Sequence, residues 1–130
     1  MAESAADIVK RVHDCYLAGD LDGVQACMAD DVVQHDHGTN ARAGTYRGKN
    51  GIAEFIALIY ELSDGTISTT VKEILGGIEY AAVIETATAE RQGHVLKVDV
   101  CTVWHRNDAG FLDEIHIMPL EQGPWDRFWA

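Results

Sequence analysis

The chain has 130 residues, 47% of them apolar and 24% charged, which suits one soluble domain spanning 1–130 and leaves no room for a second core. Ten Lys and Arg against 21 Asp and Glu give a net charge of −11, so neither nucleic acid nor an anionic membrane surface is an expected partner. The apolar runs fall far short of a membrane span, and the opening MAESAADIVK has no basic or apolar leader region, so the cytoplasm is the expected compartment.

Ser4 with Asp7 forms a capping box, and Ala5, Ile8, Val9, Val12 and Tyr16 then recur at helical spacing, predicting a first helix that stops at Gly19. Asp20 caps a short second helix with Leu21, Val24 and Met28 inward, broken at Asp30-Asp31. Val32 to His35 reads as a strand, and the glycine-rich stretch from Asp36 to Lys49 reads as a loop. A third helix starts near Asn50 with Ile52, Phe55, Ile56, Ile59 and Tyr60 on one stripe. From Gly65 the period changes to two. Thr66–Leu75, Ile78–Glu90, His94–His105 and Phe111–Leu120 are predicted strands joined by short turns, which makes an antiparallel meander. Helices followed by strands indicate an α+β fold. Cys15, Cys27 and Cys101 include no C-x-x-C pair, so they read as core or interface residues rather than as a disulfide framework or zinc knuckle.

The run GDLDGVQACMADDVVQHDHG, the step AGTYRGKNGIAEF, the later NDAGFLDEIH and the terminal WDRFW resemble the SnoaL-like branch of the nuclear transport factor 2-like superfamily, over about Ala6 to Trp129. The resemblance implies a cone-shaped α+β barrel: N-terminal helices packed on a strongly curved, mostly antiparallel sheet that encloses a cavity. Polyketide cyclases, ketosteroid isomerases, epoxide hydrolases and non-catalytic binding modules share this fold, so it does not decide the activity.

The resemblance to the isomerases implies a catalytic base at the end of the first strand. Counting back from Gly38 selects His35, and counting forward from Asp30-Asp31 selects Asp36. Either serves near neutral pH, the aspartate if a dry pocket raises its pKa. Tyr46, between Gly44 and Gly48, is a candidate donor to a substrate oxygen or an aromatic plug for the loop. In the last strand Leu112, Glu114, His116 and Met118 share one face, and Asp113, Ile115 and Ile117 the other. The resemblance points the Leu112 face into the cavity, with His116 catalytic and Glu114 beside it. Tyr16 and Trp104 are expected to bind substrate as cavity walls. Asp99 lies where the resembled isomerases carry an oxyanion-hole acid, but its Lys97-Asp99-Cys101 face reads rather as an outer or dimer face, and Glu85 joins an apolar row of Ala81, Val83, Ala87 and Ala89 facing either the cavity or an interface. The best-defined family chemistries are incomplete here. The isomerase tyrosine position holds Val12, and no arginine lies between Arg91 and Arg106 for an epoxide-hydrolase relay.

The expected function is therefore a cofactor-independent acid–base enzyme of the cyclase or isomerase type acting on a small apolar cyclic or polyketide-like carbonyl compound. The alternative is a non-catalytic small-molecule binding or dimerisation module. No Gly-rich cofactor motif occurs, so no cofactor is expected. His35-x-His37 has the strand spacing of a metal chelate with Glu114 or His116 as third ligand, but the resembled superfamily is mostly metal-free, so no metal is expected. A homodimer is expected through an apolar patch of Val83, Ala87, Cys101, Val103, Ile115 and Ile117.

Overall fold

The computed structural model describes residues 3–130. Helix α1 (Ala5–Leu17) opens on the expected capping box: Ser4 Oγ accepts from the Asp7 amide at 3.1 Å, and the Asp7 carboxylate accepts from the Ser4 amide at 3.3 Å. Its stripe of Ala5, Ile8, Val9 and Val12 is fully buried. Helix α2 (Leu21–Ala26) is capped by Asp20, whose side chain accepts from the Gly23 amide. Strand β1 (Met28–Asp36) begins earlier than the sequence pattern suggests, so Met28 belongs to the sheet and not to the second helix. The stretch expected to be all loop contains a short strand β2 (Gly44–Arg47) before helix α3 (Gly48–Leu62).

Strands β3 (Ser68–Gly76), β4 (Tyr80–Arg91), β5 (His94–Arg106) and β6 (Leu112–Pro119) follow as the expected meander. Helix α4 (Gln122–Phe128) closes the chain and buries Trp125, with Trp129 just behind it. The sheet has six strands in the order β2-β1-β6-β5-β4-β3. Every neighbouring pair is antiparallel except β1 with β6, which run parallel and bring His35 opposite His116. One face of this curved α+β sheet holds the helices and the core, and the other faces outward.

Alternation assigns the faces in most places. Along β1, Val32, Gln34 and Asp36 point inward, and along β4 Ala81, Val83, Glu85, Ala87 and Ala89 do so. Strand β6 breaks the alternation. His105 pairs with Glu114 but Arg106 pairs with Leu112, so Asp113 is an extra residue, a bulge. As a result Leu112, Ile115 and Ile117 are all buried on the inner side, while Glu114 and His116 face outward. This corrects the expectation that Glu114 and His116 look into the cavity. It also splits the expected dimer patch: Val83, Ala87, Ile115 and Ile117 point inward, and only Cys101 and Val103 lie on the outer face.

Candidate functional site

Between the inner face of the sheet, α1 and α3 lies a cavity of about 660 Å³, in the size range of small-molecule sites. Its wall is mainly apolar, from Phe55, Ile56 and Ile59 on α3, Ala87, Val100 and Trp104 on the sheet, and Trp125 on α4. A few polar side chains interrupt it, and they come from two elements that the fold places face to face.

The first group joins α1 to β4. His13 lies one turn beyond Val9 and one turn before Tyr16, so all three occupy neighbouring positions on one helix face. The ring is fixed at both ends: Nδ1 lies 2.8 Å from the Val9 carbonyl, which requires it to carry the proton and donate, and Nε2 lies 3.2 Å from Oε2 of Glu85. Burial works to lower the His13 pKa, but the hydrogen bond to Glu85, the Val9 carbonyl and the Glu85 charge together hold it above its ordinary value. The two side chains form an ion pair whenever His13 is protonated, and both are nearly buried. This settles where Glu85 points: it faces the cavity and is paired, which is how a carboxylate persists in an apolar row. Trp104 stands edge-on to His13 at 5.8 Å and anchors its indole by donating to Thr102 Oγ1 at 2.8 Å. Tyr16 lines the same wall, and burial together with the Glu85 charge raises its phenol pKa, keeping it a hydrogen donor. On β1, Gln34 also lines the cavity. It is 3% exposed and its Nε2 has no hydrogen-bond partner among the described residues.

The second group surrounds Arg42. The loop after β1 is tied to α4 by Asp126, which accepts from the Thr39 amide and from Asn40 Nδ2 at 2.7 Å. Gly38 makes this approach possible, because its φ is +119° and a Cβ there would meet Asp126 Oδ1 at 2.3 Å. The loop thereby delivers Arg42 to the interior. Its guanidinium lies over the rings of Trp125, Trp129 and Phe55 at 4.5, 5.0 and 5.1 Å, and its Nε donates to Asp36 Oδ2 at 2.7 Å. Asp36 is fully covered; burial raises its pKa and the Arg42 charge opposes that rise. Arg42 reaches the cavity wall and Asp36 stands behind it. Tyr46 packs edge-on against Phe55 and donates its hydroxyl to the Arg42 carbonyl at 2.7 Å, so the phenol holds the loop and lies outside the cavity lining.

The residues singled out from sequence thus fall in three places. Tyr16 and Trp104 line the cavity, Asp36 and Tyr46 support its Arg42 wall, and His35, Glu114 and His116 sit on the outer face of the sheet. Asp99 is also on that outer side, bonded to Lys72 and Thr86. His13, Gln34 and Arg42 escaped the sequence reading. The first two had a signal: His13 continues the Val9–Tyr16 helical stripe, and Gln34 shares the inward alternation of Val32 and Asp36. Arg42 had none, because it lies in an irregular loop.

Comparison with known proteins agrees with this architecture. Residues 9–114 match the family described as SnoaL-like domain. The uncharacterised protein Rv0034 of Mycobacterium tuberculosis is 30% identical over 91 residues, covering 69% of this chain and 70% of its own. Among solved structures, Bal32a from a soil-derived mobile gene cassette superposes with a TM-score of 0.89 at 23% identity, covering 96% of this chain and 95% of that one. An NTF2-like protein of Burkholderia xenovorans LB400 gives 0.83 at 18% identity over 100% of both chains. RV0760c of Mycobacterium tuberculosis, solved in complex with estradiol-17beta-hemisuccinate, gives 0.71 at 21% identity, covering 85% and 88%. A sheet of this order wrapped around helices, with a family match across most of the chain, makes the protein a member of the SnoaL-like family with the NTF2-like α+β cone fold.

Proposed function

We propose that the cavity binds a small apolar cyclic or polyketide-like carbonyl compound and moves a carbon-bound proton on it without a cofactor. The observation that carries this reading is the His13–Glu85 pair set in the wall of an otherwise apolar cavity. A carboxylate fixed by an imidazole in the wall of an apolar cavity is placed to act as a general base. Glu85 accepts the proton next to the substrate carbonyl. The hydroxyl of Tyr16 and the unpartnered amide of Gln34 donate to the oxygen on which negative charge develops. Trp104 and the aliphatic side chains of α3 hold the ring system, and Arg42 favours a ligand with a polar or anionic end. RV0760c, of like fold, holds a steroid with an acidic substituent, which is the combination this lining suits.

Estradiol-17β-hemisuccinate and a set of cyclic diketones are the probes. Binding is read from tryptophan fluorescence, since Trp104 and Trp125 line the cavity, and proton abstraction from deuterium uptake in heavy water by NMR. Glu85→Gln is expected to cut exchange by roughly 10²-fold or more while binding persists. Binding without exchange in the wild-type protein identifies a binding module instead.

We further propose a homodimer. Val33, Ala82, Ile84, Cys101, Val103 and Met118 leave a partly exposed apolar area on the outer face of the sheet, which a second copy would cover. The three free thiols suit a reducing compartment, and the cytoplasm is the proposed one. Among the described residues no helix is long and apolar enough to cross a membrane.

A further inference from the structure

We propose that His35, Glu114 and His116 form a binding site for one divalent transition-metal ion on the outer face of the sheet, separate from the cavity. The parallel pairing of β1 with β6 sets His35 directly beside His116, and Glu114 follows two residues before His116 on the same face. One ligand atom from each of the three residues lies within 4.8 Å of the other two. The His35 and His116 rings are stacked with centroids 4.6 Å apart and an interplanar angle of 20°. His37, just past the end of β1, brings a third imidazole to the same spot: its Nε2 lies 3.0 Å from His116 Nδ1, and its ring is 12° from coplanar with that of His116. His116 Nε2 meets Glu114 Oε1 at 2.7 Å.

Nothing in the cavity reading uses this cluster, and it brings three imidazoles and a carboxylate together on one patch of the sheet surface. Ligand atoms that share a tetrahedral ion with bonds of about 2.1 Å sit about 3.4 Å apart. The three groups lie within 4.8 Å, and His116 and Glu114 are exposed enough for their side chains to rotate toward that spacing. The donor set also selects the ion. Two or three imidazoles and one carboxylate suit zinc, nickel or copper(II), whereas magnesium and calcium require oxygen ligands. The chain's net charge of −11 raises the local concentration of cations. The sequence offered the His35-x-His37 pair with Glu114 or His116 as a third ligand and no reason to expect a metal; the pairing of β1 with β6, about 80 residues apart in the chain, is what places Glu114 and His116 together beside His35.

The test uses untagged full-length protein stripped with chelator and titrated with zinc chloride against a chromophoric competitor. The expected result is one zinc per chain with micromolar or tighter affinity and no response to magnesium. His35→Gln, Glu114→Gln and His116→Gln should each weaken zinc by about tenfold or more, while His94→Gln, at the start of β5, leaves it unchanged. Circular dichroism checks the fold, and because all three side chains lie on the sheet surface at least one variant should retain it. Zinc binding weaker than about 100 μM, or binding unaltered in every folded variant, overturns the proposal.

Discussion

His13 Nε2 on α1 lies 3.2 Å from Glu85 Oε2 on β4, and this contact fastens the first helix to the sheet across the cavity wall. The pair has a titration signature. The His13 pKa is raised above its ordinary 6.5, so the stabilisation it contributes is complete below that value and is lost as pH rises through the folded value. The urea midpoint of the wild type should therefore exceed that of Glu85→Gln most at pH 6, and the gap should narrow steadily toward pH 9. A gap that stays constant over this range excludes an imidazolium at His13.

Asp36 and Arg42 are expected to be strongly coupled. Removing the guanidinium leaves a covered carboxylate without its partner, so Arg42→Met should cost about 3 kcal/mol in urea unfolding. Adding Asp36→Asn removes the stranded charge and should restore a large part of that loss. Single substitutions whose effects simply add would show that the two side chains do not act as a pair.

Ligand binding is expected to respond to the space and to the donors in the cavity. Ile56 is half-buried in the α3 wall, so Ile56→Trp projects its extra volume into the void and should weaken a bound ring compound by tenfold or more without a loss of thermal stability. Tyr16→Phe deletes one hydrogen bond to the ligand and should cost roughly 1 kcal/mol, about fivefold in affinity. Fluorescence titration of the two variants with the same steroid probe measures both effects. Unchanged affinity in each places the ligand elsewhere.

The outer face supplies a further prediction. Ile84 lies on that face in the middle of β4, away from the imidazole cluster on β1 and β6. Ile84→Glu should turn the proposed dimer into a folded monomer at micromolar concentration in sedimentation velocity, because a carboxylate at the centre of an apolar interface is left without water or a partner. A dimer that survives Ile84→Glu uses another surface.

Much of the backbone was legible in the sequence because its signals are local. The Ser4–Asp7 capping box, the helical stripe from Ala5 to Tyr16 and the period-two runs after Gly65 each depend on residues a few positions apart, and all reappear in the structure. The quoted motifs carried the family and the cone-shaped fold for the same reason. Strand β2 was not legible, since four residues among glycines carry no periodicity of their own and become a strand only by pairing with β1.

The site required the tertiary structure. Alternation along β6 divides its residues into two faces but cannot say which face is inside, and the extra residue at Asp113 then shifts the phase so that Leu112 and Ile115 are buried together. That single bulge sends Glu114 and His116 to the outer face and leaves the cavity to Glu85, whose partner His13 lies 72 residues away in the chain. Likewise, strand register turns Asp36 inward and His35 outward, and Asp36 is then covered by Arg42, which comes from an irregular loop held by α4. Sequence spacing fixes which residues share a face of one element. Which faces meet depends on strand register, a bulge and loop packing, all set by contacts between segments far apart along the chain.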